Sequence, residues 1–226
     1  MGKARKEPPR SGSRGFFAFL SDALFWVFRS LVRLLLLVYF RFEASGKVPS
    51  EGPLLIACNH TSFLDSIWLG AASSRRIRFL MSDLYGGIFG LRWFFRWNKV
   101  ILVPEEGGLK EFMTRSLQAL EEGAALGIFP EGWITLDGSV REFQPGVIRL
   151  AMKTGARIVP AAIVGGARAF PRRSWFPRPW KVRVRIGEPL EVESLLPEQG
   201  SKAERVGVAA SRLRAKVLEL MEHPPD

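Results

Sequence analysis

Leu54-Leu55-Ile56-Ala57-Cys58-Asn59-His60-Thr61-Ser62-Phe63-Leu64-Asp65 is the stretch that decides the fold. Its first five residues form an unbroken apolar run, the pattern of a buried strand. The run ends at Asn59. Thr61 or Ser62 then has the character of a helix N-cap, and Ser62-x-x-Asp65 has capping-box form. A helix is expected to continue through Ile67, Trp68 and Leu69. Further strand-like runs fall near 77–81, 99–103, 126–129, 157–164 and 182–187. Helical stretches are expected near 62–74, 84–96, 108–122, 145–154 and 200–222. Alternation of this kind predicts an α/β domain, a mostly parallel sheet flanked by helices.

The same stretch carries chemistry. The chain has only two histidines, and the other, His223, lies in the tail Glu222-His223-Pro224-Pro225-Asp226. Histidine chemistry near neutral pH therefore falls to His60. Asp65, in the first helical turn, can reach back to hold one imidazole nitrogen and leave the other free as a general base. A plain turn histidine beside an aspartate that only caps its helix fits the same residues. Phe129-Pro130-Glu131-Gly132 also follows an apolar run, Ala124-Ala125-Leu126-Gly127-Ile128. Loops after parallel strands open on one edge of a sheet, where ligands bind, so the two motifs are expected to share a site.

Together with Gly155-Ala156-Arg157-Ile158-Val159-Pro160-Ala161-Ala162-Ile163, these motifs resemble the glycerolipid acyltransferase family, which includes the 1-acylglycerol-3-phosphate acyltransferases. Order and spacing agree from about residue 45 to 190. The resemblance implies transfer of an acyl chain from a thioester, acyl-CoA or acyl-carrier protein, to a lipid hydroxyl. His60 and Asp65 are then the catalytic pair. Asn59, Ser62, Phe129, Pro130, Glu131 and Gly132 are expected to bind substrate, with Glu131 on the acceptor and backbone N–H groups near Gly132 facing the oxyanion. No covalent intermediate is expected. Cys58 reads as a buried strand residue and Ser62 as a cap, not as nucleophiles. No bound cofactor is expected, and no metal: His60 has no neighbouring histidine, and the chain has a single cysteine.

Two positions depart from the family. Pro104-Glu105 stands where a basic residue for the acceptor phosphate is usual, and Phe143-Gln144-Pro145-Gly146 replaces a basic pair. A phosphomonoester needs cationic partners. The run Val103-Pro104, followed by Glu131-Gly132-Trp133-Ile134-Thr135-x-x-Gly138-Ser139, looks more like the acyltransferase part of the 2-acylglycerophosphoethanolamine acyltransferases, which take head-grouped lysophospholipids. The sequence reading leans toward that acceptor over lysophosphatidic acid. Arg141 and Arg149 are the candidate substitute phosphate ligands. Lys110 and Arg115 read as solvated helix faces.

A chain of 226 residues suits one such domain, 46–226, with an appendage. Residues 1–15 read as a basic disordered arm and 16–45 as a membrane-associated helical segment. In that segment Asp22, Arg29 and Arg33 fall within roughly 40° of one another on a helix, a narrow polar stripe. One kinked helix or two short helices lying in one leaflet fit this pattern, as the resemblance also implies; a tilted single span is the alternative. The net charge of +11 needs a partner. Residues 165–186 hold seven basic and no acidic residues among exposed-type aromatics, and 89–97 repeat the mixture. This suits an anionic bilayer interface, with Phe16, Phe17, Trp26, Arg29, Arg33, Trp93, Trp97, Arg172, Arg173, Trp175 and Trp180 as membrane-binding residues. Phe94 and Phe95 are expected to face the sheet. Nucleic acid is not expected as a partner. The single cysteine fits the cytoplasmic face of an inner (plasma) membrane, monotopic or single-pass. The rival reading is a non-catalytic lipid- or acyl-carrier-binding protein on the same fold.

Overall fold

The computed structural model describes residues 12–83, 91–104, 106 and 108–223, with the side chains of 12–18 and 91 outside the description. Its seven strands are β1 (Glu43–Ser45), β2 (Leu54–Cys58), β3 (Ile77–Ser82), β4 (Ile101–Val103), β5 (Ala125–Ile128), β6 (Arg157–Val164) and β7 (Arg183–Ile186). They form one sheet in the order β1-β7-β6-β2-β5-β3-β4. Every neighbouring pair is parallel except β6 with β7. The helices are α1 (Gly12–Tyr39), α2 (Asp65–Ala72), α3 (Leu91–Trp97), α4 (Gly108–Glu121), α5 (Gly146–Thr154), α6 (Gly166–Ala169), α7 (Val192–Leu195) and α8 (Lys202–Glu222). β1, α6 and α7 are too short for a periodicity to announce them. Lys99 takes a left-handed φ of 56° as it closes α3, so β4 begins at Ile101. Of the helix expected near 84–96, residues 84–90 lie outside the described part.

The apolar runs are buried on both faces of the sheet, as parallel strands demand. On one side Leu55, Ala57, Leu126, Ile128 and Ile158 pack against α4, α5, α7 and α8. On the other, Leu54, Ile56, Cys58, Val159 and Ile163 pack against Trp68 and Leu69 of α2 and Leu36 of α1. Helix α8 opens with a capping box, Ser201 with Glu204, and turns Val206, Leu213 and Val217 inward.

Helix α1 corrects the sequence reading. It is one continuous helix of 28 residues, and it begins inside the expected disordered arm. Two of the three residues of its polar stripe engage the protein, while Arg33 is exposed. Asp22 pairs with Arg76 at 3.1 Å. Arg29 donates to the carbonyls of Gly70 (3.2 Å), Ala71 (3.1 Å) and Ser73, the open C-terminal end of α2. Arg29 is therefore an intramolecular cap, not a membrane ligand. Trp97 is likewise half-buried, packed on Phe25 (6.1 Å) and Phe28 (5.3 Å) of α1. Phe94 meets Phe28 of the N-terminal helix edge-on at 5.8 Å. The outward face of α1 is apolar: Phe19, Leu24, Val27, Leu31, Leu34, Leu35 and Val38 are exposed. Among the described residues, no helix is long and apolar enough to cross a membrane.

Candidate active site

β2 and β5 are parallel neighbours, with Ala57 opposite Ile128. Their C-terminal ends therefore release the two motifs side by side. Asp65 opens α2 and turns one carboxylate oxygen back across the preceding turn. Oδ2 accepts from the Thr61 N–H (2.6 Å), the Ser62 N–H (2.8 Å) and Nδ1 of His60 (2.9 Å). Because those N–H groups bond to the carboxylate, residues 61–64 form a turn and α2 starts at Asp65, later than the sequence pattern predicts. The Ser62 hydroxyl does not cap α2. It donates to the Phe170 carbonyl (2.9 Å) and accepts from the Leu64 N–H (3.2 Å).

Asp65 is fully buried, and burial pushes its pKa above the ordinary carboxylate value; His60, Ser62 and Thr61 pull it back down. Oδ1 of Asp65 and Oγ1 of Thr61 are buried without hydrogen-bond partners. Gly166 lies against both. A Cβ there would come within 3.1 Å of Oδ1 and 2.6 Å of Oγ1. An aspartate accepting at Nδ1 fixes the tautomer with the proton on that nitrogen. Nε2 is left with a lone pair, on a side chain that is 20% exposed. The imidazole stacks on Phe129 at 4.1 Å, and Phe129 on Phe79 at 6.0 Å. Gly127 makes room for that backing ring, since a Cβ would sit 2.4 Å from Phe79.

The second motif is scaffold. One Glu131 oxygen accepts the His60 N–H (2.8 Å) and the other the Arg141 N–H (3.0 Å), so the carboxylate ties the two loops together. Burial raises the Glu131 pKa, and those two N–H bonds act against the rise. The Thr135 N–H donates to the His60 carbonyl at 3.0 Å, and the Gln144 N–H to the Pro130 carbonyl at 2.7 Å. The Gly132 N–H is spent on the Phe129 carbonyl (3.1 Å) in a turn that needs its φ of 78°, so it does not face an oxyanion.

Other predicted substrate residues fall elsewhere. The Asn59 side chain is fully buried and clamps β2 to β6, donating to the Ile163 carbonyl (3.0 Å) and accepting its N–H (2.7 Å). Asn59 and Ser62 thus hold the backbone and offer no polar atom to a substrate. Arg141 and Arg149 expose their side chains, Arg149 on α5. Cys58 is buried, and burial, then the Asp65 and Glu131 carboxylates, push its thiol well up. Such a thiol is no nucleophile. Trp175 and Phe176 are exposed, as are Trp93, Trp26 and Trp180, the last facing Arg168 at 5.1 Å. Phe16 and Phe17 have side chains outside the described part. Among the described residues, no group of three or more His, Cys, Asp or Glu side chains is placed to hold a metal ion. Phe79, Gly166 and Phe170 escaped the sequence reading because each reaches the site from a distant element, with no local pattern to mark it.

A mostly parallel sheet whose strand ends hold a His–Asp pair braced by a second acidic loop defines the class of protein. The sequence model of the Acyltransferase family matches residues 39–164, and the chain belongs to that family. It is 28% identical over 179 residues to a chloroplast 1-acyl-sn-glycerol-3-phosphate acyltransferase, LPAT1, of Arabidopsis thaliana, covering 76% of this chain and 46% of the relative. It is 28% identical over 159 residues to a 1-acyl-sn-glycerol-3-phosphate acyltransferase of Pseudomonas aeruginosa, covering 68% and 60%. The chain spans about half the length of the plant relatives it matches, 46% and 47%. Its fold is that of the 1-acyl-sn-glycerophosphate acyltransferase PlsC from Thermotoga maritima, with a TM-score of 0.65 at 22% identity over 94% of this chain and 90% of that one.

Proposed function

We propose that this protein transfers an acyl chain from an acyl thioester to a free hydroxyl of a lysophospholipid, with His60 as general base and Asp65 as its orienting partner. The observation that carries the reading is the 2.9 Å contact between His60 Nδ1 and a buried Asp65, which leaves Nε2 free at a partly open surface. The hydroxyl proton passes to Nε2 as the oxygen attacks the thioester carbonyl. The imidazolium so formed is stabilised by Asp65, and the thiolate leaves with that proton. Glu131 acts as a positioning residue, since both its oxygens already hold backbone N–H groups. The donor is acyl-CoA or acyl-carrier protein, and no bound cofactor enters the chemistry.

The names of the relatives favour lysophosphatidic acid as acceptor, against the head-grouped lysophospholipid that the sequence departures favour. Arg141 and Arg149, the candidate phosphate ligands of the sequence reading, both have exposed side chains. We read residues 46–226 as the catalytic domain and α1, whose apolar face points outward, as an anchor lying in one leaflet at the cytoplasmic side of the membrane. Phe63, Trp133, Leu136, Trp175 and Phe176 are further large apolar side chains left exposed. The test is an assay of detergent-solubilised protein with oleoyl-CoA or acyl-carrier protein against lysophosphatidic acid and head-grouped lysophospholipids. Acylated product that His60→Ala abolishes is expected. Absence of product with every pair overturns the reading.

A further inference from the structure

The two places where a basic residue is usual in this family hold none, yet an acceptor phosphate needs a cation close to His60. We propose that Arg172 binds the phosphate of the acceptor glycerolipid. This rests on the acyltransferase reading above and adds to it a specificity-determining residue from outside the motif blocks.

Three placements carry the inference. First, Arg172 Nη1 donates to the Ile134 carbonyl at 3.4 Å, and the next N–H along, that of Thr135, donates to the His60 carbonyl at 3.0 Å. Those two contacts and one peptide unit keep the guanidinium within about 9 Å of the His60 backbone. The hydroxyl and the phosphate of a glycerol phosphate are only a few bonds apart, and the proposal requires the acceptor to span from Arg172 to the imidazole. Secondly, the segment carrying Arg172 is fixed to the catalytic turn. The Phe170 carbonyl accepts the Ser62 hydroxyl at 2.9 Å, and the Phe170 N–H donates to the Gly166 carbonyl at 2.9 Å. Further on, the Arg178 N–H donates to the Ala169 carbonyl at 2.6 Å and closes the loop on itself. Thirdly, the guanidinium is exposed and spends one donor on Ile134. The rest of its fork is open to two phosphate oxygens.

Other cations are less well placed. Arg115 is engaged by Glu111 (2.6 Å) and the Leu102 carbonyl. Arg168 lies over Trp180. Arg141 shares its surroundings with Asp137, whose carboxylate is held below the usual range by the Ser139 hydroxyl and N–H and, last, by Arg141, and which opposes a second anion.

The experiment uses the full chain in neutral detergent. Initial rates are measured with oleoyl-CoA and lysophosphatidic acid for wild type, Arg172→Ala, Arg172→Lys and Lys153→Ala; Lys153 lies in the last turn of α5 and serves as a charge control. Binding of lysophosphatidic acid is measured in parallel by calorimetry. Arg172→Ala is expected to raise the acceptor KM and Kd about tenfold or more, the loss of a hydrogen-bonded charge pair. kcat and the oleoyl-CoA KM should stay within about twofold, Arg172→Lys should recover part of the loss, and Lys153→Ala should match wild type. An unchanged acceptor KM and Kd overturns the proposal, as does a rise in the donor KM instead, which would assign Arg172 to the CoA phosphates. A defect seen in anionic vesicles but not in neutral detergent would also overturn it, by assigning Arg172 to anchoring. If wild type turns over no acceptor, the acyltransferase reading fails on the rates, while the calorimetric comparison still decides Arg172.

Discussion

The two loops at the strand edge look alike in sequence, each a short motif with one carboxylate after an apolar strand, but they divide the work. In the His60 turn the Asp65 carboxylate takes two backbone N–H groups and still holds the imidazole. In the loop after β5 the Glu131 carboxylate is used up on the backbone, one oxygen on each of two segments. The difference is one of geometry. Asp65 closes the turn that carries the histidine, whereas Glu131 sits in the loop after the neighbouring strand and faces main-chain atoms. A shared motif vocabulary can thus mean a reacting group in one loop and a brace in the next.

The largest test of that division is His60→Ala, which should lower kcat by at least about a thousandfold while leaving the melting temperature close to wild type. Asp65→Asn should cost a comparable factor through loss of the imidazolium's partner. Its stability should move the other way. Burial raises the folded-state pKa of Asp65 above the ordinary 3.8, so the folded chain holds that proton more tightly than the unfolded chain. The resulting stabilisation is complete below the ordinary value and is lost as pH rises through the raised one. Melting curves of Asp65→Asn and wild type should therefore coincide near about pH 4 and separate toward about pH 7, with the variant higher. A lower variant at neutral pH would mean the three bonds to Oδ2 outweigh the buried charge.

Glu131→Gln probes the brace. An amide supplies one acceptor where the carboxylate supplies two, so either the His60 or the Arg141 N–H meets another donor. A loss of about 1–3 kcal/mol in unfolding free energy is expected, with kcat down about 10–100-fold as the histidine shifts. Rate loss with no loss of stability would place Glu131 on the substrate instead and erase the contrast between the loops. The smallest effect should come from Arg29→Met. It frees the far end of α2, the helix that begins at Asp65, and should cost about 1–3 kcal/mol in denaturant unfolding. Activity should change less than about threefold. A larger loss of rate would mean that α1 holds the catalytic turn in register through α2.

Much of this was legible locally. The strands at 54–58 and 157–164 were read to the residue, because a strand buried on both faces leaves an unbroken apolar run between polar stops. The pairing of His60 with Asp65 followed from chain direction, since a first-turn carboxylate points back toward the residues before its helix. Polar residues beside the histidine were harder. Asn59 and Ser62 carry substrate-binding chemistry in their side chains, but their partners, Ile163 and Phe170, lie over a hundred residues away. The stripe on α1 failed for a related reason. Helical periodicity reports that Asp22 and Arg29 share a face, yet not which face meets the protein. Arg76 and the open carbonyls of α2 were waiting on the inner side.

The sequence by itself determined the alternation of strands and helices, the family resemblance and the identity of the one histidine able to react. Those are properties of residue type and near spacing, which the chain carries wherever it goes. Only the tertiary structure decided what each polar side chain does. A buried donor or acceptor must find a partner, and the partner it finds depends on which distant strand or loop the sheet order places within hydrogen-bond reach. That rule turned Glu131 into a brace, Asn59 into a clamp and Arg29 into a helix cap.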